Sequence, residues 1–228
     1  MEPLSFGNYY HIYNRGIAKA NLFYKNGNYE HFLNLYKKYI DPIADTYAYC
    51  LMPNHFHLLV RIKEEEEIND ISDSVLNELS NMSAFAESDS VQSGIPFLNA
   101  DRSDDTVRLR KLNPARQFSH LFNAHAKYIN AIENRTGSLF QRPFKRKKIE
   151  TEAYLKQLVI YIHANPVKHG FAKYCKDYYW SSYQDIISSE PTNIKREQVL
   201  NWFNSVSDFI KIRNTKSEML MDEKIVFE

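Results

Sequence analysis

Apolar and polar positions recur along this chain with two periods, and the switches between them mark its elements. Tyr9 to Asn14 carries aromatic and β-branched residues at strand spacing, with Gly16 just beyond. From Asn28 to Ile40 the period lengthens. Phe32, Leu33, Leu35, Tyr36 and Tyr39 fall on one helical face, Asn28 can cap it, and Asp41-Pro42 stops it. Thr46 to Met52 and His55 to Ile62 read as strands joined across a Pro53-Asn54 turn, which predicts a hairpin. From Lys63 to Asn113 the pattern dissolves into an acidic run, Glu64 to Glu67, a helical piece near 68–85 and a polar stretch around Glu87 to Ser90. Helical spacing returns at Pro114, with Phe118, Leu121, Phe122, His125, Tyr128, Ile129 and Ile132, and Arg135-Thr136-Gly137 ends it. Ser138 to Phe144 reads as a short strand or extended loop. Thr151 caps a further helix through about Ala164, which Asn165-Pro166 ends. Trp180 to Ile187 is compact and aromatic, and Ile194 to Ile212 has the spacing of one more helix.

The order strand, helix, strand, strand, helix, strand, helix predicts an α+β fold. The expected form is a ferredoxin-like antiparallel sheet with helices packed on one face. The core is expected in residues 1–62 and 114–188. Residues 63–113 are expected as an inserted polar excursion and 189–228 as a C-terminal extension.

Composition narrows this picture. The formal net charge is only +1, but its distribution is uneven. Residues 61–100 hold two basic and nine acidic side chains, whereas 101–150 hold twelve basic and five acidic. That asymmetry points to a polyanion partner for the basic half. Cys50 and Cys175 have neither metal spacing nor disulfide density, which fits a reducing compartment. No run reaches the roughly 20 apolar residues of a membrane span. A soluble, cytoplasmic protein is the expectation.

Three features carry chemistry. His55 and His57 stand two apart on one strand, so they point the same way while Phe56 points to the other face. Two such imidazoles can converge on a divalent metal; the bland alternative is a pair of half-exposed strand histidines. On the 151–164 helix, Leu155, Leu158, Val159 and Ile162 form the apolar stripe. Tyr161 lies off its centre, and Asn165 follows one turn later on the same flank. If that flank faces the histidine strand, the Asn165 oxygen becomes a third ligand and Tyr161 a nucleophile. Imidazole with a hard oxygen suits Mg²⁺ or Mn²⁺. Such a metal polarises a phosphate and orients it for attack, which a phenol of pKa about 10 needs. The alternative for Tyr161 is a structural helix tyrosine, and Tyr154, one heptad earlier, is a rival nucleophile. Finally, Phe140 to Lys148 interleaves Phe140 and Phe144 with Arg142, Lys145, Arg146, Lys147 and Lys148, as suits phosphates and unstacked bases. A solvated basic turn is the alternative.

Five ordered segments carry a family resemblance. They are Tyr10-His11-Ile12-Tyr13-Asn14-Arg15-Gly16, Met52-Pro53-Asn54-His55-Phe56-His57, Gly137-Ser138-Leu139-Phe140-Gln141-Arg142-Pro143-Phe144, Tyr161-Ile162-His163-Ala164-Asn165-Pro166-Val167-Lys168-His169-Gly170 and Trp180-Ser181-Ser182-Tyr183. Together the chain resembles the HUH single-tyrosine transposases of small insertion sequences, and within them the REP-associated tyrosine transposases. The resemblance implies metal-dependent cleavage and rejoining of single-stranded DNA near a hairpin, through a 5′-phosphotyrosine intermediate. It implies His55, His57 and Asn165 as metal ligands and Tyr161 as nucleophile, with Arg15 and Arg142 in segments near DNA. The long excursion and tail depart from the family pattern and leave monomer or homodimer open. Two other readings compete: a domesticated protein that grips DNA hairpins without cutting, and a metal hydrolase of small phosphoesters.

Overall fold

The structure is a computed structural model that describes residues 3–68, 71–72, 109–110 and 112–222, with side chains for all of these except 71–72, 109–110 and 215–222. Its contacts divide the chain into two units, residues 1–67 with 113–228, and residues 68–112. In the smaller unit, Ile71–Ser72 pairs antiparallel with Leu109–Arg110. Ile71–Ser72 is thus strand where a helix was expected near 68–85, and residues 73–85 lie outside the described residues.

The larger unit is built on four antiparallel strands. These are β1 (Tyr9–Arg15), β2 (Ala44–Met52), β3 (His55–Ile62) and β4 (Lys145–Ile149), in the order β2-β3-β1-β4. The expected hairpin is β2–β3, with Met52 opposite His55. Helix α1 (Asn26–Tyr39) crosses from β1 to β2, and α2 (Pro114–Ile132) precedes β4. Asn28 lies inside α1, where its Oδ1 accepts from the Tyr24 and Lys25 backbone N–H groups.

Helices cover both faces of the sheet, which corrects the one-face expectation. On one face Phe56 of β3 meets Phe32 of α1 and Phe122 of α2. On the other, Leu59, Cys50 and Met52 share a core with Leu155, Leu158, Val159 and Ile162 of α3 (Glu152–Lys168). The physical reason is visible in β3 itself. Seven of its eight residues are buried, so both of its faces need cover.

Three further expectations change. The basic run is itself a strand, β4, and the edge strand of the sheet. Cations are well suited to such an edge, because they deter pairing with another chain. Helix α3 does not stop at Asn165. It runs through Pro166 to Lys168 and closes at Gly170 (φ +73), with Phe171 N–H donating to the Pro166 carbonyl and Gly170 N–H to that of Val167. Every residue from Leu158 to Pro166 is buried, and that packing outweighs the bond that a proline removes. Beyond α4 (Tyr183–Ile187), the tail forms two helices rather than one, α5 (Arg196–Phe203) and α6 (Val206–Asp222). Val199, Phe203 and Phe209 join the α3 core, so the tail covers α3 rather than extending away from it. Each such side chain contributes about 1.5–3 kcal/mol by burial. No helix among the described residues is long and apolar enough to cross a membrane.

Candidate metal and nucleophile site

Strand register builds the site row by row. His57 sits between Cys50 on β2 and Tyr13 on β1, and Tyr13 is followed by Lys145 on β4. His55 lies opposite Arg15. Gly16 then lets the chain leave β1 tightly. A Cβ there would stand 1.9 Å from the Ala20 carbonyl oxygen, so no other residue fits this turn. The Gly16 N–H donates to the Asn54 carbonyl and Gln141 N–H to that of Arg15, which brings the 137–144 segment beside the histidines.

Both histidines are buried and present one ring nitrogen alike. Nδ1 of His55 lies 2.6 Å from Asn54 Oδ1, an acceptor, so Nδ1 carries the proton and Nε2 the lone pair. Nδ1 of His57 lies 2.9 Å from Nε2 of His11. The two Nε2 atoms are buried and meet no hydrogen-bond partner among the described residues. Leaving a buried polar atom unsatisfied costs about 1–3 kcal/mol, and a bound cation is one remedy. Beside them is a cavity of about 30 Å³ lined by Tyr13, Asn14, Arg15, His55, His57, Gln141 and Lys145. That is space for a small ion and little more.

The helix meets this site from the side. Tyr161 is buried, and its ring lies edge-on to His57 at 5.4 Å and to His11 at 6.2 Å between centroids. This is the flank that helical spacing pointed to. The Lys168 ammonium stands 5.7 Å from the Tyr161 ring centroid. Asn165 Nδ2 donates to the Tyr161 carbonyl at 2.8 Å, while its Oδ1 is buried with no hydrogen-bond partner among the described residues. Neither Tyr161 nor Asn165 lines the small cavity. Among the described residues no three His, Cys, Asp or Glu side chains form a metal-holding group. The Asn165 amide oxygen is a hard donor of the kind a divalent cation takes. Tyr154 packs elsewhere, under the ammonium of Lys147 at 5.0 Å.

The predicted cations split between two faces. Lys145 and Lys147 lie opposite Tyr13 and His11 and share the histidine face, where exposed Arg15 joins them. Arg146 lies opposite Ile12, and Lys148 opposite Tyr10, on the other face. Arg146 and Arg142 line a groove of about 990 Å³ between α2 and the 137–144 segment, together with Lys127, Phe122 and Phe140. The groove lining contains no carboxylate. In it Arg142 donates to Asn123 Oδ1 at 3.5 Å.

Sequence reasoning missed His11, Tyr13 and His169. The His169 ring is 4.8 Å from His55, and Tyr13 stacks 5.8 Å from His57. The signal for the first two was available. His11 and Tyr13 alternate on β1 as His55 and His57 do on β3, and pairing the strands puts all four on one face.

Burial holds the imidazoles neutral, the form that binds metal. Desolvation pushes His11 down to about 3, with Lys147 adding to it. Desolvation first, then His169 and Arg15, lower His55 to about 3. His57 is driven well below its ordinary value by burial, then by His11, His55, His169 and Lys168. Away from the site, burial takes His163 to about 3 and His125 to about 4. An unfolded histidine protonates near 6.5, whereas these stay neutral in the native state until far lower pH. Their contribution is therefore present above pH 6.5 and lost as pH falls toward the folded values. Each such group adds up to about 1.4 kcal/mol of stability loss per pH unit. Urea unfolding followed between about pH 6.5 and 5 should show a slope of several histidines, above that of a protein with exposed ones. A flat profile there would show that these rings are not held neutral.

Comparison with known proteins gives one relative and one fold match. No family model matches the chain. The protein called "Putative REP-associated tyrosine transposase" from Haemophilus influenzae is 26% identical over 146 residues, which is 64% of this chain and 62% of that protein. The chain thus matches about three fifths of its relative's length. The solved REP-associated tyrosine transposase bound to a REP hairpin superposes with a TM-score of 0.52 at 13% identity, covering 85% of this chain and 88% of that one. This likeness shows the α+β fold with its four-stranded antiparallel sheet. The resemblance to REP-associated tyrosine transposases is met in sequence by the relative and in fold by the structure.

Proposed function

We propose that this chain is a transposase of the REP-associated type that cleaves and rejoins single-stranded DNA beside a hairpin, with Tyr161 as nucleophile and Mg²⁺ or Mn²⁺ as cofactor. The carrying observation is the pair of buried, unsatisfied Nε2 atoms on His55 and His57, with Tyr161 edge-on to His57 at 5.4 Å.

His55 and His57 would hold the metal through Nε2, with the Asn165 oxygen available as a third ligand after a side-chain shift. The bound ion supplies Lewis-acid polarisation of the scissile phosphate. The protein's own residues do the rest. Asn54 fixes the His55 ring with its lone pair outward. Arg15 and Lys145 flank the cavity and can bind the phosphates on either side of the reacting one. Tyr161 Oη gives up its proton as it attacks phosphorus, the P–O3′ bond breaks, and the departing oxygen takes up a proton and leaves as a free 3′-hydroxyl. The 5′-phosphotyrosine that remains keeps the energy of the broken bond, so a 3′-hydroxyl can reverse the step without ATP. Lys147 shares that face, and the groove lined by Arg142 and Arg146 gives the hairpin a separate basic surface, with Lys148 beside it.

The test is incubation with hairpin-bearing single-stranded DNA. A protein–DNA adduct stable to denaturation should form with Mn²⁺ or Mg²⁺ and not with chelator. Hairpin binding with no adduct under either metal would leave a binding module instead.

A further inference from the structure

We propose that His11 is a positioning residue for His57: its Nε2 accepts a hydrogen bond from His57 Nδ1–H and so keeps the His57 Nε2 lone pair free for a cation. The inference rests on the metal reading above and deepens it.

The argument starts from what each partner is able to do. Asn54 Oδ1 can only accept, so it forces one tautomer on His55. His11 Nε2 can either accept or donate across its 2.9 Å contact with His57 Nδ1. If His11 donates, the proton of His57 sits on Nε2, and that atom cannot ligate. If His11 accepts, its own proton sits on Nδ1, and His57 Nε2 is free to bind a cation. Unaided, the two arrangements are close in energy, because each leaves one buried donor and one buried acceptor unpaired at His11 Nδ1 and His57 Nε2. A cation at Nε2 stabilises only the second, so metal binding and the proton position of this pair are coupled.

Geometry leaves His11 two roles, to fill space or to position His57. It has no exposed surface and does not line the cavity, so it touches neither DNA nor metal. Its ring lies against those of Tyr13, at 4.6 Å, and His57, at 5.1 Å, with Tyr161 at its edge. A ring that only filled this space could be replaced by phenylalanine at no cost to the metal. A positioning ring could not, since phenylalanine accepts no hydrogen bond while the glutamine amide oxygen does.

The experiment compares wild type, His11→Phe and His11→Gln by Mn²⁺ titration, and reads the His57 tautomer by long-range ¹H–¹⁵N correlation with and without Mg²⁺. His11→Phe should weaken Mn²⁺ binding by about 10- to 100-fold, and His11→Gln should recover most of the loss. Wild-type His57 should carry its proton on Nδ1 with Mg²⁺ present. Unchanged Mn²⁺ affinity in a folded His11→Phe would overturn the inference. So would a wild-type His57 with its proton on Nε2 in Mg²⁺, a readout that survives if His11→Phe does not fold. Failure of the wild type to bind Mn²⁺ at all would sink the metal reading and this inference with it, whereas the first two outcomes overturn the inference and leave the metal reading standing.

Discussion

Tyr161→Phe is expected to abolish the covalent protein–DNA adduct, with a fall of at least about 10³-fold, as when other covalent nucleophiles are removed. The substitution deletes one oxygen and keeps the ring. The edge-on contacts with His57 and His11 need only that ring, so the variant should fold, with a stability change of about 1 kcal/mol. Hairpin binding should persist, since no cation is touched. The structure also supplies the control. Tyr13 lines the histidine cavity and stacks 5.8 Å from His57, so it is the nearest rival on geometry. Tyr13→Phe should retain the adduct. The reverse pattern, with adduct kept in Tyr161→Phe and lost in Tyr13→Phe, would transfer the nucleophile to the strand.

His57→Ala should separate chemistry from binding. It removes one of the two unsatisfied Nε2 atoms and the partner of His11, so metal affinity and cleavage should each fall at least about 10²-fold. The cavity left behind costs stability, so unfolding must be measured alongside. DNA affinity should stay within a few-fold, because the proposed reading gives the phosphate contacts to Arg15, Arg142 and the β4 cations. Fluorescence anisotropy with a labelled hairpin measures binding, and a denaturing gel measures cleavage on the same samples. Cleavage at the wild-type rate in both Mg²⁺ and Mn²⁺ would remove His57 from the metal site.

The hairpin and the α2 helix were legible because their apolar spacing is regular over long runs. Three other features were hidden for physical reasons. Pro166 reads as a helix stop by local rules, yet burial of α3 from Leu158 to Pro166 overrides that preference. Lys145 to Lys148 has no apolar alternation, because an edge strand owes its place to pairing with β1 more than to burial. The two-face cover of the sheet depends on where α3, α5 and α6 return, which is a long-range matter that no window of sequence contains. At the site, strand alternation put His55 and His57 on one face and the family resemblance gave them their role, whereas His11 needed the β1–β3 register. Tyr161 was set off the stripe of Leu155, Leu158, Val159 and Ile162 and one turn before Asn165 by helical spacing, and its ring lies beside His57. The position of Asn165 within the helix, bonded to the Tyr161 carbonyl, followed only from the structure.

The most direct test is to trap the adduct with hairpin DNA and Mn²⁺, digest it, and locate the nucleotide by peptide mass spectrometry. The 5′-phosphate should be found on Tyr161. A nucleotide on Tyr13 or Tyr154, or no modified tyrosine in a sample that has cleaved its DNA, would contradict it.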